Sequence, residues 1–245
     1  MNMPVALVTG GLGGLGTAIC IALSRAGFVP VAVDLPEAGR VARFREALQG
    51  HPSGTIDCDV TDDAACRRAV EHAESGHGPV AVLVNAAGIT RDATLRKLEP
   101  AHWEDVMRVN LGGAYHMSRH AMHGMVERGH GRIVNIGSIN GQTGQFGQTN
   151  YAAAKAGLHG FTMSLARELA AKGVTVNTVS PGYVDTEMTR VIREDIRSRI
   201  VASIPVGRIG QPEDIARVVA FLCEPGAGYI TGANIPVNGG LFMSF

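Results

Sequence analysis

The amino-acid sequence predicts an α/β protein: one domain built on a doubly wound, seven-stranded parallel sheet. Short apolar runs alternate along the chain with longer helical patterns, as in repeated strand–helix–strand units. The first run, Val5 to Val8, enters a helix through the glycine-rich segment GGLGGLG. No linker, repeat or low-complexity segment interrupts the 245 residues, a length that one α/β domain can reach, so we expect residues 1–245 to form a single domain.

Composition argues against several functional classes. The chain carries 22 basic and 22 acidic residues, and this balance argues against a nucleic-acid or anionic-membrane surface as its main role. The N-terminus lacks the pattern of a signal peptide, and nowhere do about 18 uncharged apolar residues run together. We therefore expect a cytoplasmic protein with neither a nucleic-acid nor a membrane partner. Its four scattered cysteines form no CxxC pair, and we interpret them as reduced core thiols.

The first turn has the character of a phosphate-binding loop. A strand that enters a helix through glycines lets backbone N–H groups and the positive helix end approach a pyrophosphate. The pattern Thr-Gly-x-x-x-Gly-x-Gly fits Thr9, Gly10, Gly14 and Gly16, with Leu15 inside the same turn. In this strand-to-helix context the motif resembles that of the short-chain dehydrogenase/reductase family, whose members have a Rossmann-type fold. The resemblance implies that this turn binds a nicotinamide dinucleotide.

The second strand ends in an acid that bears on the choice of cofactor. Asp34 stands eighteen residues after Gly16. A carboxylate at this place can bond both ribose hydroxyls of NAD and would repel the 2′-phosphate of NADP, so NAD(H) is favoured. Arg40, with Arg43 and Arg45 behind it, is the opposing observation, since these cations could partly neutralise a phosphate. NADP(H) stays possible, although the same arginines can simply form a solvated basic helix face.

The end of the third strand has two interpretations. Asp59 and Val60 follow the predicted strand Thr55 to Cys58, at the place where the family brackets the adenine. Alternatively, Asp59 or Thr61 caps the helix predicted over Asp62 to Glu74, as such residues commonly do. Both roles are compatible.

The fourth strand leads into a second family signature. Val80 to Asn85 is followed by the turn Asn85-Ala86-Ala87-Gly88. Small residues let the backbone lie close to a cofactor and to the neighbouring strand. The resemblance implies that Asn85 and Gly88 belong to the cofactor site.

A long helix is predicted from about Pro100 to Arg128, because proline favours a helix start and Gly129 stands beyond its end. Asn110 lies inside it. In the family this position holds a water that connects the catalytic lysine to solvent.

Three histidines of this helix superficially resemble a metal-binding face. His116, His120 and His123 lie at i, i+4 and i+7. We favour no metal, because no Glu or Asp completes the set, no His-Glu-x-x-His motif is present, and methionines interleave as packing residues. A helix that contacts another subunit is the better interpretation.

A hydroxyl, a phenol and an amine follow at intervals that suit acid–base chemistry. Ser138 ends the predicted strand Arg132 to Ser138, and Tyr151 and Lys155 lie on one helical face with Cβ atoms roughly 5–6 Å apart. The ammonium should favour the phenolate and lower the pKa of Tyr151. Ser138 would hydrogen-bond the oxygen that Tyr151 protonates, which suits reduction of a carbonyl. In the family, Asn110 completes this catalytic set.

The last third of the chain supplies the nicotinamide end. The sixth predicted strand, Val174 to Ser180, closes with Pro181-Gly182, a further family signature near the nicotinamide, and Thr186 fits the family's carboxamide-binding threonine. Residues 186–208 are charged and weakly apolar, as in a lid over a substrate. The remaining predicted elements are a helix over Pro212 to Cys223 and a strand over Asn234 to Val237.

Several sequence segments indicate the class of substrate. GITRD, NGQTGQFGQTNY, KAGLHGFTMSLA, KGVTVNTVSPGYV and NGGLFM look closely similar to a subgroup of the family, the acetoacetyl-CoA reductases of polyhydroxybutyrate synthesis. There, Gln145, Phe146, Gln148 and Tyr183 correspond to residues lining the acyl and pantetheine site, although residues 145–148 can also be a plain glycine-punctuated loop. The resemblance implies NAD(P)H-dependent reduction of a short β-ketoacyl thioester, acetoacetyl-CoA to (R)-3-hydroxybutyryl-CoA, by a homotetramer.

Two other functions remain as alternatives. A 3-oxoacyl-acyl-carrier-protein reductase acts on the same pantetheine arm, and Arg128 and Lys172 could serve its acidic carrier or simply complement helix C-termini. A non-catalytic dinucleotide sensor is opposed by the complete catalytic set. The chain departs from the acetoacetyl-CoA reductases at Asp34, because that subgroup usually prefers NADPH and lacks an acid there. It departs again at Gly137, where serine is common.

Overall fold

One parallel sheet organises the computed structural model, which describes residues 3–190 and 193–243. Its strands are β1 (Val5–Thr9), β2 (Val29–Asp34), β3 (Gly54–Asp57), β4 (Val80–Asn85), β5 (Gly131–Ile136), β6 (Val174–Pro181) and β7 (Asn234–Val237). Their order in the sheet is β3-β2-β1-β4-β5-β6-β7, and every neighbouring pair is parallel. The predicted doubly wound, Rossmann-type sheet is therefore confirmed.

Helices connect the strands and cover both faces. They are α1 (Gly14–Arg25), α2 (Ala38–Ala47), α3 (Asp63–His77), α4 (Pro100–Met107), α5 (Gly113–Arg128), α6 (Asn140–Thr143), α7 (Thr149–Leu169), α8 (Glu187–Arg190), α9 (Glu194–Ser203) and α10 (Pro212–Cys223). A π-helical segment, Arg108–Gly112, joins α4 to α5, and 3-10 turns follow α7 (Ala170–Lys172) and α10 (Pro225–Ala227). No helix of the described residues is long and apolar enough to cross a lipid bilayer.

Burial on both faces explains why the strands are apolar at every position. Successive side chains of a strand point to opposite faces, so Val5 and Leu7 of β1 pack with α3, α5 and α7. Ala6 and Val8 pack with α1, α2 and α10 on the other face. A parallel sheet covered on both sides needs such continuous apolar runs.

The cysteines lie in this interior. Cys20, Cys58, Cys66 and Cys223 are buried and unpaired, which confirms their interpretation as core thiols. Burial raises the pKa of the Cys20 thiol well above its usual range and that of Cys223 to about 12.

Several predicted boundaries are wrong. β3 is shifted by one residue and β6 ends one residue later than predicted, and two further differences bear on candidate site residues. β5 ends at Ile136, so Ser138 lies beyond the strand, although Gly137 N–H still donates to Val179 O of β6. The cap of α3 is Asp62, whose Oδ1 accepts from the backbone of Ala64 at 2.9 Å, and neither Asp59 nor Thr61 takes that role.

Candidate active site

A cleft of about 530 Å³ opens at the carboxyl ends of the strands. Its floor lies where β1 and β4 are neighbours and the chain order of the sheet reverses. Ligands of open α/β sheets bind at this kind of switch point, and the volume is within the range of small-molecule sites.

The glycine turn between β1 and α1 leaves a backbone-lined cradle in this cleft. Gly10 has a φ of +65°, and a Cβ there would lie 3.0 Å from Ala87 Cα. A Cβ at Gly16 would collide with the carbonyl oxygen of Gly10. Thr9 Oγ1 accepts from the backbone N–H groups of Ala86 at 3.0 Å and Ala87 at 3.1 Å, which holds the two glycine-bearing turns together. The cradle fits a pyrophosphate, because only backbone can approach it.

Asp34 stands at one end of the cleft with both carboxylate oxygens already fixed. Oδ2 accepts from the backbone N–H of Leu12 at 3.0 Å, and Oδ1 accepts from that of Leu35 at 2.9 Å. These bonds hold the carboxylate in place and leave further lone pairs on each oxygen for hydroxyl donors.

Arg40, the cation that opposes the NAD interpretation, also lines the cleft but is held between two acids. Its Nε lies 2.8 Å from Glu37 Oε2, and its second terminal nitrogen lies 3.9 Å from Glu187 Oε2. Its charge is therefore partly balanced within the chain.

The predicted catalytic groups meet at the opposite end. Ser138, Tyr151 and Lys155 all line the cleft. Lys155 is only 4% exposed, and its Nζ donates to the carbonyl oxygen of Ile136 at 2.7 Å. The same Nζ lies 5.7 Å from the centroid of the Tyr151 ring, and burial lowers the pKa of this lysine to about 8.

The pKa of the Tyr151 phenol is shifted in the direction opposite to the expectation. Burial raises the pKa of Tyr151, a hydrogen bond with Ser138 opposes that rise, and the charge of Asp92 adds to it. The expected net lowering of the Tyr151 pKa is wrong for the chain by itself, because desolvation is the largest cause and raises it. Tyr151 therefore keeps its proton at neutral pH, as a proton donor must.

Asn110 lies behind these groups in the π-helical segment rather than on the cleft wall. Its Oδ1 accepts from Ile89 N–H at 3.0 Å, and its Nδ2 donates to Ile89 O at 2.9 Å and Val106 O at 3.0 Å. A Cβ at Gly88 would lie 2.5 Å from this Oδ1 and 3.7 Å from Lys155 Nζ. The asparagine thus fixes the end of the Asn-Ala-Ala-Gly turn beside the lysine.

Most of the predicted cofactor residues line the cleft: Gly10, Gly14, Leu15, Gly16, Asp34, Asp59, Val60, Gly88, Tyr151, Lys155, Pro181, Gly182 and Thr186. Asn85 does not. Its buried Nδ2 donates to Ser118 Oγ at 3.1 Å and Asn135 Oδ1 at 2.8 Å, so its side chain ties β4 to β5 and α5.

The predicted substrate residues lie outside the cleft wall. Gln145 and Phe146 are exposed, the latter by 88%, and Gln148 bridges Asp92 Oδ2 and Asn140 Nδ2, each at 2.8 Å. Tyr183 adjoins Gly182 and Val184, both of which line the cleft.

Sequence reasoning missed other lining residues, among them Gly13, Ile89, Val109, Glu187 and Thr189. Gly13 and Ile89 adjoin the two glycine motifs, so the motifs themselves were the available signal. Thr189 stands one helical turn after Thr186; its hydroxyl accepts from Thr186 N–H at 3.0 Å and donates to Val184 O.

The histidines considered for a metal contact the chain itself. His116 and His120 reach Val60 and Asp63, so an acid does lie beside this face, 57 positions away in the sequence. Within residues 3–190 and 193–243, no three His, Cys, Asp or Glu side chains are grouped to hold a metal ion.

Comparison with known proteins gives matches over almost the entire chain. Residues 10–242 match the family model described as enoyl-(acyl carrier protein) reductase. The chain is 52% identical over 244 residues to an acetoacetyl-CoA reductase of Allochromatium vinosum, with 98% of each chain covered. It is 49% identical over 245 residues to an acetoacetyl-CoA reductase of Cupriavidus necator, covering 99% of this chain and 100% of that relative. It is also 45% identical over 242 residues to a 3-oxoacyl-[acyl-carrier-protein] reductase of Pseudomonas aeruginosa, with 98% of each covered.

Proposed function

The chain belongs to the short-chain dehydrogenase/reductase family of oxidoreductases, and we propose that it reduces acetoacetyl-CoA to (R)-3-hydroxybutyryl-CoA with NADH. One observation carries the reaction type: Ser138, Tyr151 and Lys155 share a wall of the cleft whose other end holds the glycine cradle and Asp34. The names of the relatives at 52% and 49% identity support the thioester. A role in polyhydroxybutyrate synthesis is proposed from the resemblance of the sequence segments described above.

The chain's own groups supply the proton and the orientation. When bound, NADH supplies the hydride that reaches the carbonyl carbon. Tyr151 donates its hydroxyl proton to the carbonyl oxygen, while Ser138 hydrogen-bonds that oxygen and orients it. The ammonium of Lys155, 5.7 Å from the ring centroid, stabilises the phenolate left after proton transfer. A water beside Asn110 would connect Lys155 to solvent and return the proton.

NAD(H) is the cofactor that the adenosine end of the cleft favours. Asp34 is held by two backbone donors in a place where ribose hydroxyls can bond it and a phosphate would be repelled. Glu37 and Glu187 flank Arg40 and partly offset its positive charge. We expect a higher kcat/KM with NADH than with NADPH, and we expect Asp34→Ala to narrow the difference.

The acyl arm is proposed to cross the segment between Ser138 and Tyr151. Phe146 is a large apolar side chain left 88% exposed, and Gln145 beside it is exposed as well. A short acyl group and an amide-bearing pantetheine would cover these side chains together with Gln148 and Tyr183. Residues 186–208, which include α8 and α9, are proposed as the lid over this arm; residues 191 and 192 lie outside the described chain.

The carrier-protein alternative has weaker support in the structure. Arg128, one of its two candidate contacts, donates to Val80 O and pairs with Glu74 at 3.4 Å, so it already has partners within the chain. Lys172, the other candidate, is exposed at the end of the 3-10 turn after α7.

A homotetramer in the cytoplasm is the proposed assembly and location. A groove of about 730 Å³ crosses α4, α5 and α7, and we call it the apolar groove. Its lining consists of Trp103, Glu104, Met107, Arg108, Leu111, Gly112, Tyr115, Gly157 and Phe161. Trp103 is 39% and Tyr115 46% exposed, and exposed aromatic side chains in one patch are typical of protein–protein contacts. The proposed occupant is a second copy of this chain.

One steady-state assay tests the proposal. Acetoacetyl-CoA and an acetoacetyl-acyl-carrier-protein thioester are each assayed with NADH and with NADPH. We expect turnover of acetoacetyl-CoA at least equal to that of the protein-bound thioester. A strong preference for the carrier-protein substrate would replace our choice by the alternative, and a preference for NADPH would refute the role given to Asp34. Binding of NADH without any turnover would favour the non-catalytic sensor.

A further inference from the structure

We propose that His116 and His120 of α5 are positioning residues that hold the loop of residues 58–63 against the adenine end of the cleft. The inference rests on the proposed function, because it requires the dinucleotide to lie in the cleft. It gives a role to two side chains that the catalytic mechanism does not use.

The first bond fixes a residue of the cleft wall. His116 Nδ1 lies 2.9 Å from the carbonyl oxygen of Val60, and Val60 lines the cleft. A carbonyl oxygen only accepts, so His116 must carry its hydrogen on Nδ1 and donate. The only other side-chain bond described to this oxygen comes from the Cys66 thiol, at 3.5 Å, and thiols are weak donors.

The second bond anchors the far end of the same loop. His120 Nε2 lies 2.9 Å from Asp63 Oδ1, and the histidine side chain is only 13% exposed. The carboxylate accepts, so His120 donates from Nε2. Arg119 lies 3.7 Å from the other carboxylate oxygen, and the bond from His120 is the main reason that the pKa of Asp63 is lowered.

Close packing on the same helix face supports these bonds. A Cβ at Gly113 would lie 2.7 Å from Val60 Cγ2, so α5 approaches the loop as closely as a glycine permits. Gly113, His116 and His120 lie at i, i+3 and i+7, which places them on one side of α5. The helix therefore meets the loop along two of its turns.

Apart from the burial of Cys58 and Val60 in the core, the loop makes few other described hydrogen bonds to distant elements. Its remaining bonds are local, such as Thr61 N–H to Asp59 Oδ1 at 2.9 Å, apart from Cys58 N–H to Asp34 O at 2.9 Å. Cys58, Asp59 and Val60 all line the cleft. Removing the histidine bonds should leave the loop in its binding-competent position for a smaller fraction of time, which weakens apparent affinity by that fraction.

The test uses donors that mimic each ring nitrogen. His116→Asn keeps a donor near the Nδ1 position and His120→Gln keeps one near Nε2, whereas His116→Leu and His120→Leu remove the donors. His123→Leu, an exposed position on the same helix, is the control. Dissociation constants for NADH and for AMP are measured by titration of the full chain without substrate, and kcat is measured at saturating NADH. If a leucine variant does not fold, the alanine variant at the same position, His116→Ala or His120→Ala, which also removes the donor, takes its place.

We expect each leucine variant to raise both dissociation constants by the same factor, about threefold to tenfold, the equivalent of one hydrogen bond. The Asn, Gln and control variants should stay within about twofold of the unchanged chain, as should kcat in every variant. Lower thermal stability with unchanged affinity would show a merely structural role and overturn the inference, as would weaker NADH binding with unchanged AMP binding. Absence of acetoacetyl-CoA turnover with normal NADH binding would instead count against the proposed function.

Discussion

Lys155 is a buried cation whose ammonium donates to a carbonyl oxygen, that of Ile136 at 2.7 Å. Burial lowers its pKa from 10.5 to about 8, so keeping this side chain charged at neutral pH opposes folding. A pKa difference of this size corresponds to roughly 3 kcal/mol, at about 1.4 kcal/mol for each pKa unit. Reactivity and stability are therefore in conflict at this residue.

Lys155→Met should stabilise the fold while removing reductase activity. Below pH 8 the lysine is protonated in both the folded and the unfolded chain, so the buried charge destabilises the fold by its full amount there. Between about pH 8 and 10.5 the unfolded chain binds more protons, so the cost disappears as pH rises. At pH 7 we expect the unfolding free energy of the variant to be about 1–3 kcal/mol higher than that of the unchanged chain, with the loss of the hydrogen bond to Ile136 already subtracted. Urea denaturation measures this difference.

The pH series supplies the check on this reasoning. The difference between the unchanged chain and Lys155→Met should shrink above pH 8 and be nearly absent above pH 10.5. A destabilised variant at pH 7, or a difference that does not change between pH 7 and 10.5, would contradict the assigned pKa.

Tyr151→Phe should separate proton donation from nucleotide binding. The variant keeps the ring and its packing but loses the hydroxyl that donates to the carbonyl oxygen. We expect the reduction rate to fall by about two to four orders of magnitude and the dissociation constant for NADH to change little, measured by single-turnover kinetics and fluorescence titration. Near-normal turnover in this variant would contradict the mechanism. Tyr229→Phe, which removes a fully exposed phenol that does not line the cleft, is the matched control and should leave turnover unchanged.

At the scale of elements, the π-helical segment Arg108–Gly112 is the connection between the long helix and the catalytic end of the cleft. Its asparagine, Asn110, forms a two-way pair with the backbone of Ile89 and a third bond to Val106 O. π-helical turns inside longer helices occur frequently at functional sites. Here the π-helical turn places the buried side-chain amide of Asn110 against the end of the Asn-Ala-Ala-Gly loop.

Asn110→Leu should weaken both the fold and catalysis. The change leaves an N–H and a carbonyl of Ile89 without this partner in a partly buried place, at a cost of about 2–4 kcal/mol of unfolding free energy. For a chain of this size we expect a fall in melting temperature of about 5–12 °C by calorimetry. The exposed change His123→Ala on α5 is the control, with less than about 0.5 kcal/mol expected. Unchanged stability in Asn110→Leu would mean that the bonds to Ile89 contribute nothing.

The accuracy of the sequence-based boundaries depended on how locally each signal is encoded. β4, α10 and β7 match their predicted bounds, because turn residues, Pro212 or a short apolar run delimit them in the sequence itself. The π-helical segment was not predicted, since one extra residue in a turn leaves the apolar pattern nearly unchanged. The pKa of Tyr151 and the pairing of His120 with Asp63 depend on burial and on distant contacts, which no local pattern encodes.

At the scale of the whole molecule, α5 stands between two functions. One side meets the adenine loop through His116 and His120, and the other side contributes Tyr115 to the apolar groove, next to Leu111 of the preceding π-helical segment. A neighbouring subunit seated in the groove would therefore press on the same helix that holds the loop. Assembly and cofactor affinity are expected to be linked for this reason.

Tyr115→Glu should disrupt the proposed homotetramer without unfolding the chain. The side chain is 46% exposed and lies on a helix, so the isolated chain tolerates glutamate there, but the assembly would have to bury an unpaired carboxylate in the apolar groove. We expect a smaller species by size-exclusion chromatography with light scattering at micromolar concentration, together with weaker NADH binding if α5 needs its neighbour. Ala64→Glu, an exposed position near the start of α3, adds the same charge away from the groove and should leave the assembly intact. A Tyr115→Glu protein that remains tetrameric would place the subunit contact on another surface, and a monomeric unchanged chain would remove the proposed assembly altogether.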